Sequence, residues 1–220
     1  VQTLIPWIAE EIGGFVLSCV PWTDENAAAQ ARQSQIKNDF VVTTHLKTQV
    51  EPWTVELRLV RTIDGKCLGQ LDAAFSSTKP EDAIPQLAQR LLGLLVEQAE
   101  VETQPPAPLY QVPVGPHFPY YLLRLEQLLS VRCAGMDGVQ PNFISGAREI
   151  IDGNIQQCLN CPQNVPTRLL LVQTLLAMKK VRPEILPEFK EKVALLQKEK
   201  PLPEPAHGVV QRILNEVLAA

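Results

Sequence analysis

The chain has 220 residues, of which 45% are apolar and 20% charged, and its net charge is −4. This composition is typical of a globular protein, and the length fits one large domain or two small ones. The acidic balance argues against nucleic acid as a partner, because phosphate selects clustered lysine and arginine. No apolar run reaches the roughly 18 residues of a membrane span. Five cysteines, an odd number, argue against a full disulfide framework and favour a reducing compartment.

The first third of the chain is predicted to begin with helix, strand and helix. Residues 1–12 carry an apolar stripe at helical spacing, and Gly13 and Gly14 would end this helix. Because the chain begins inside this apolar pattern, a strand or targeting segment could have preceded it. Residues 15–20 then form a short apolar strand, which we expect to be buried on both faces. A second helix, rich in alanine and glutamine, is predicted over residues 25–36.

Residues 39–95 carry the strongest pattern of the chain. A strand over 39–47 is followed by a strand over 53–61, in which apolar and polar side chains alternate and predict one dry and one wet face. Asp64 and Gly65 are predicted at the two central positions of a type I′ turn. The return strand covers residues 67–75. A helix capped by Thr78 should then lie across the dry face of the sheet.

These elements predict an α/β layer with a mixed sheet. The passage from residue 15 to residue 42 is long enough for a right-handed crossover between parallel strands.

Residues 100–118 are rich in proline and cannot continue a helix, so they mark the predicted boundary between domains 1–99 and 119–220. The segment also carries large apolar side chains, which are Leu109, Tyr110, Val112, Val114 and Phe118. A free linker is usually polar, so an arm docked along one or both domains is favoured over a solvated linker.

The remainder of the chain is predicted to be helical. Five helices are expected over residues 120–133, 143–159, 167–181, 183–198 and 206–218. Helices of this length joined by short turns are typical of an array of helical hairpins, close to the tetratricopeptide period. The predicted fold class is therefore α+β, with an amino-terminal mixed-sheet domain and a carboxy-terminal helical domain.

The order of motifs resembles a known family. The residues that carry the resemblance are 31–42, 53–61, 64–68, 86–91 and 120–125. They are similar to a TolB amino-terminal-like or CsgG-like α/β domain, followed by the opening of degenerate tetratricopeptide-like helices. The resemblance implies binding and assembly and supplies no catalytic residues. Thr43 and Thr44 stand where the family has a glycine, and the family's first strand is missing.

The sequence predicts no catalytic, cofactor-binding or metal-binding residues. Cys158 and Cys161 form a single C-x-x-C, whereas a zinc site needs about four ligands and no second pair follows. We interpret them as one buried cysteine at a helix end and one in the next turn. His45, His117 and His207 are scattered and have no evident nucleophile beside them.

The favoured function is a non-enzymatic scaffold or adaptor that binds another protein, in a bacterial envelope or signalling assembly. Stacked helical hairpins present an extended surface that suits such a partner. Two alternatives stay open. One is an enzyme or small-ligand sensor with a site in a crevice between domains. The other is a structural subunit that associates with copies of itself.

Overall fold

The computed structural model describes residues 3–9, 12–18, 22–33, 38–99, 107–136 and 144–218. Contacts divide the chain into two compact units. The first holds Val1–Ile5 and Val16–Gln104, and the second holds Pro6–Phe15 and Pro105–Ala220. The α+β class is confirmed, since an antiparallel sheet precedes a series of helices. The predicted domain limits stay a prediction.

Two short strands form the amino-terminal segment. Strand β1 is Thr3–Ala9 and strand β2 is Ile12–Ser18, and the two pair in a two-stranded sheet. The predicted helix over residues 1–12 is therefore wrong. Pro6 supplies the physical reason, because inside a helix it removes a hydrogen bond and clashes with the preceding turn. The predicted strand over residues 15–20 overlaps β2, which begins three residues before it, and residues 19 and 20 lie outside the described residues.

The main sheet of the first unit has three antiparallel strands in the order β3-β4-β5. They are β3 Phe40–Lys47, β4 Trp53–Arg61 and β5 Cys67–Phe75. Helix α1, Asp24–Gln33, precedes them. The predicted mixed sheet with a parallel crossover is wrong, because β2 pairs with its sequence neighbour β1 and does not join this sheet.

The β4–β5 hairpin closes through the five residues 62–66, which lie between the ends of the two strands. Arg61 N donates a hydrogen bond to Lys66 O at 2.9 Å, and Gly65 N donates one to Arg61 O at 2.9 Å. Gly65 has φ of 69°, so its predicted left-handed conformation is confirmed. The predicted two-residue turn is wrong, since residues 62 and 63 also lie in the loop. The Asp64 carboxylate accepts hydrogen bonds from the Arg61 side chain and from Lys66 N, and these lower its pKa to about 2.

Helix α2, Ile84–Ala99, packs on the dry face of this sheet, as predicted. Val55, Phe75 and Leu87 are buried between helix and sheet. The rings of Trp53 and Phe75 meet edge to face with centroids 6.4 Å apart. The partly buried residues around them are Leu46, Leu57, Leu71, Ala73, Ala83 and Ile84. The alternating pattern of β4 therefore determined which face the helix covers.

The entry to α2 differs from the predicted cap. A short 3-10 helix, Pro80–Asp82, comes before α2, and the hydroxyl of Thr78 lies 3.0 Å from that of Ser76. Thr78 is therefore not the cap of α2. Pro85 occupies the first turn of α2, where its missing N–H would have had no helical partner in any case.

Helix α1 lies on the opposite, polar face of the sheet. The guanidinium of Arg58 in β4 donates two hydrogen bonds to the Asp24 carboxylate, at 3.0 and 2.6 Å. This pairing lowers the pKa of Asp24 and raises that of Arg58. Ala27 and Ala28 of α1 and Val60 of β4 are fully or nearly fully buried. The face predicted to be wet is thus partly covered by a helix anchored through an ion pair.

The second unit is built from helices. Their bounds are α3 Phe118–Ala134, α4 Ala147–Asn160, α5 Val165–Val181, α6 Lys190–Glu199 and α7 Ala206–Leu218. Helix α5 packs against α3, α4 and α7, and α4 also packs against α3 and α6. None of the helices in the described ranges combines the length and apolar content that a membrane crossing needs.

Two helix starts are displaced from their predicted positions by glycine and proline. Gly146 has φ of 71° and precedes α4, so this helix begins four residues after the predicted residue 143. The predicted fourth helix is split into a 3-10 helix, Pro183–Phe189, and α6. Pro187 lies inside the 3-10 segment, where an α-helical hydrogen bond could not form.

The proline-rich segment, described from residue 107, packs against the helices of its own unit. Leu109 contacts the main core of the unit, and Phe118 is 2% exposed. Asn164 Nδ2 donates a hydrogen bond to Gln111 O at 2.8 Å. Tyr110 and Val114 remain 41% and 62% exposed, so docking buries only part of the apolar surface of the segment.

Candidate functional site

The C-x-x-C pair lies at the end of α4. Cys158 is fully buried in the helix and its thiol donates to Thr167 O at 3.5 Å, whereas Cys161 lies half-buried in the turn that follows. This placement agrees with the predicted interpretation of the pair. Within the described residues, no three His, Cys, Asp or Glu side chains are grouped as a metal would require. The expectation that the protein carries no zinc stays a prediction.

Burial controls the chemistry of these thiols. It raises the pKa of Cys158 to about 11, and it also raises the pKa of Cys161 and of the buried Cys133. Because the thiolate is the reactive form, a raised pKa makes a cysteine a weak nucleophile at neutral pH. The three cysteines thus have the properties of packing residues.

Iodoacetamide should modify Cys161 before Cys158 in the folded chain. With a pKa of about 11, only about one Cys158 thiol in a thousand is ionised at pH 8, and burial also blocks access. We expect a rate at least about 100-fold lower at Cys158, measured by mass spectrometry of digested samples. In urea the two rates should become similar. Equal rates in the folded chain would contradict this prediction.

The three histidines occupy unrelated positions. His45 lies in β3, where its Nδ1 is 4.0 Å from the Glu56 carboxylate across the strand pair. The backbone carbonyl of His117 accepts a hydrogen bond from Gln157 just before α3 begins. His207 lies in the first turn of α7. The structure therefore assembles no nucleophile, base and acid from these residues within its described ranges.

Arg168 is a buried cation that the sequence analysis missed. Its side chain is 0% exposed within α5, and Nη2 donates hydrogen bonds to Pro162 O at 3.2 Å and Lys200 O at 3.0 Å. The guanidinium lies beside the Cys158 thiol, and burial lowers its pKa. The sequence did contain a signal for this burial, because Arg168 is the single arginine among the leucines of an apolar helix. Through these two hydrogen bonds, Arg168 connects the loop before α5 to the loop after α6.

A shallow cavity of about 620 Å³ lies over these two tied loops. Its lining residues are Pro108, Leu109, Cys161, Pro162, Gln163, Asn164, Glu199, Lys200 and Pro201. The charged groups of the lining are the carboxylate of Glu199 and the ammonium group of Lys200, so the lining favours neither an anionic nor a cationic ligand.

A second concave surface, here called the α6–α7 groove, runs between α6 and α7 and continues beside Pro183–Phe189. It consists of cavities of about 330 and 200 Å³ that share Lys190 and Leu218. The other lining residues are Lys179, Pro183, Leu186, Pro187, Val193, Ala194, Gln197, Gln211, Leu214, Asn215 and Val217. The described lining contains two lysines and no carboxylate, although the chain as a whole is acidic.

A third feature is a set of exposed apolar side chains on α3 and α5, here called the α3–α5 face: Tyr120, Leu123, Leu129 and Leu169. Their exposed fractions are 57%, 41%, 40% and 38%. Arg132 of α3 donates a hydrogen bond to Gln173 of α5 at 2.7 Å, and the exposed leucines within one turn of this contact are Leu129 and Leu169. No apolar periodicity distinguished these leucines from core leucines in the sequence.

No family model, curated protein or solved structure matches the chain.

Proposed function

We propose that the chain is a non-enzymatic scaffold that binds another protein, and that its second unit is a tetratricopeptide-like helical array. The contacts between helices support the array. Helix α5 packs between α3 and α7 in one row, while α4 and α6 contact each other in a second row. This is the neighbour pattern of stacked helical hairpins.

The α3–α5 face is the observation that carries the proposal. Four large apolar side chains are exposed on two helices that pack against each other, and this exposed apolar area favours an interaction surface there. Tyrosine and leucine also bury large areas when a partner covers them. The face therefore fits a protein surface better than a small polar ligand.

The first unit is consistent with an assembly role. Its order of α1, β3, the β4–β5 hairpin and α2 is the order on which the TolB-like and CsgG-like resemblance rests. In this proposal the sheet unit belongs to the same assembly as the helical array, in a bacterial envelope or signalling context.

Replacing Leu123 and Leu129 together by glutamate should abolish partner capture. Both side chains are exposed, so the fold should tolerate the change, whereas two buried carboxylates would disrupt an apolar interface. The intact chain, cross-linked in its native lysate and analysed by mass spectrometry, should retain partners that the double variant loses by about tenfold or more.

Glu126→Gln is the matched control, because Glu126 is an exposed residue of the same helix. It should capture the same partners as the unchanged chain. If the partner is a second copy of this chain, analytical ultracentrifugation will show it and will assign the face to a homo-oligomer. Equal capture by the double variant and the control would refute the role of the α3–α5 face.

A further inference from the structure

The two edges of the three-stranded sheet differ in how they are protected. Among the described strands, β3 and β5 each pair with β4 alone, so each has one side without a neighbouring strand. An open edge exposes unpaired N–H and C=O groups, and natural sheets protect such edges with bulges, charges, prolines or covering side chains. An edge that lacks these devices can accept a further strand.

Strand β3 has an edge of this unprotected kind. Thr62 N donates a hydrogen bond to Asp39 O at 2.9 Å, so the backbone groups of Asp39 point toward β4. Because this direction alternates along an antiparallel strand, the outer edge is formed by the backbone groups of Phe40, Val42, Thr44 and Leu46. Within the described part of the chain, no side chain bonds to these backbone groups. Val42 is 36% exposed and Thr44 is exposed, so the middle of the edge is open to solvent.

The β5 edge, by contrast, is protected in three ways. The register between β4 and β5 shifts near the start of β5, as a bulge produces. Glu56 directs its backbone toward β3, so Asp72, which lies opposite it in β5, directs its own away from β4. Arg90 of α2 donates a hydrogen bond to this outward Asp72 carbonyl at 2.9 Å. The Asp72 carboxylate adds a charge in the middle of the strand, whereas the lysine of β3 lies at its end.

The β3 edge is complementary to the same edge of a second copy. In an antiparallel pair with Thr43 opposite Thr43 at a two-fold axis, residues 40, 42, 44 and 46 lie opposite residues 46, 44, 42 and 40. Their outward N–H and C=O groups then bond to each other across the pair. Phe40 lies opposite Leu46, and Val42 lies opposite Thr44. Apolar and β-branched side chains therefore meet across the interface, as they do in stable sheets.

Charge favours the same register. Asp39 would lie opposite Lys47 of the second copy at both ends of the pair, and both residues are exposed. Opposite charges across a strand pair are favourable, and like charges are unfavourable. A shift of the pairing by two residues would place Asp39 opposite His45 or Gln49 and lose both of these ion pairs. Charge complementarity thus favours a second copy of this chain over an unrelated strand.

We propose that the chain forms a symmetric dimer in which the β3 strands of two copies pair antiparallel and join two three-stranded sheets into one. Each copy contributes one strand to the interface, so the contact is small and the dissociation constant should be micromolar. This inference goes beyond the proposed scaffold function, and it uses residues that the α3–α5 face does not contain. The dimer would carry that face twice.

Sedimentation velocity over a dilution series of the intact chain tests the dimer. Thr44→Pro removes an outward N–H and leaves the β3–β4 ladder intact, so it should raise the dissociation constant by about tenfold or more. The matched control is Thr44→Val, which keeps the N–H and should leave the constant within about threefold. Far-ultraviolet circular dichroism should show that both variants are folded.

Charge reversal tests the register and decides the matter if Thr44→Pro does not fold. Asp39→Lys and Lys47→Asp each place like charges opposite one another at both ends of the pair. Each should raise the dissociation constant by about fivefold or more. In an equimolar mixture of the two variants, the mixed dimer brings opposite charges together again. Its dissociation constant should return to within about twofold of that of the unchanged chain.

A chain that stays monomeric at every concentration would overturn the proposal. A dimer that a folded Thr44→Pro chain retains, or charge variants that do not recover on mixing, would also overturn it. The Leu123→Glu, Leu129→Glu chain should dimerise as the unchanged chain does, so its loss of partner capture would concern the α3–α5 face alone. A dimer lost in that chain and kept in Thr44→Pro would assign self-association to the α3–α5 face and refute the β3 dimer.

Discussion

Replacing Arg168 by alanine is expected to lower the free energy of unfolding of the second unit by about 3 kcal/mol or more. The change removes the hydrogen bonds to Pro162 O and Lys200 O and opens a cavity at a residue that is 0% exposed. It also releases two loops from each other. Urea denaturation followed by far-ultraviolet circular dichroism, which the helices dominate, measures the loss.

Arg168→Met separates packing from hydrogen bonding. Methionine fills most of the same volume and removes a buried charge whose desolvation is unfavourable, as the lowered pKa of Arg168 shows. We expect it to cost about 1 kcal/mol, because an apolar replacement of similar shape recovers the packing. A loss below about 1 kcal/mol for Arg168→Ala would show that the guanidinium does not hold the two loops.

Replacing Gly65 by valine is expected to destabilise the first unit by about 2 kcal/mol. A β-branched side chain is strained at φ of 69°, and an added Cβ would lie 3.4 Å from the Glu25 Cα of α1. The change therefore disturbs the β4–β5 hairpin and the packing of α1 beside it. Tryptophan fluorescence during urea denaturation reports on this unit through Trp22 and Trp53 when Trp7, which belongs to the second unit, is replaced by phenylalanine in all variants compared.

Gly65→Asn is the matched variant, since asparagine enters the left-handed region far more readily than valine. It adds a Cβ at the same place but relieves most of the backbone strain. We expect it to cost less than half as much as valine. If the two variants are equally destabilised, contact with α1 and not the positive φ determines the effect.

The β4–β5 hairpin and its helix were predictable because their signals are local. Side chains of residues 53–61 alternate with period two, which determines the face that α2 covers. Gly65 is needed where the chain turns back, so the position of the turn follows from one residue. The length of the loop did not follow, since it depends on the Asp64 contacts to Arg61 and Lys66 that form only in the folded hairpin.

Periodicity together with the positions of proline and glycine was enough to predict the α+β class, the strands β3, β4 and β5, and the helices within residues 118–136 and 144–218. The pairing of residues 3–9 and 12–18 as strands could not be predicted, since an apolar stripe of this length suits either a helix or a strand. The burial of Arg168 against two loop carbonyls likewise emerges only in the folded chain. Burial and pairing depend on residues distant in sequence, here as many as 32 positions apart for Arg168 and Lys200, and no local pattern encodes them.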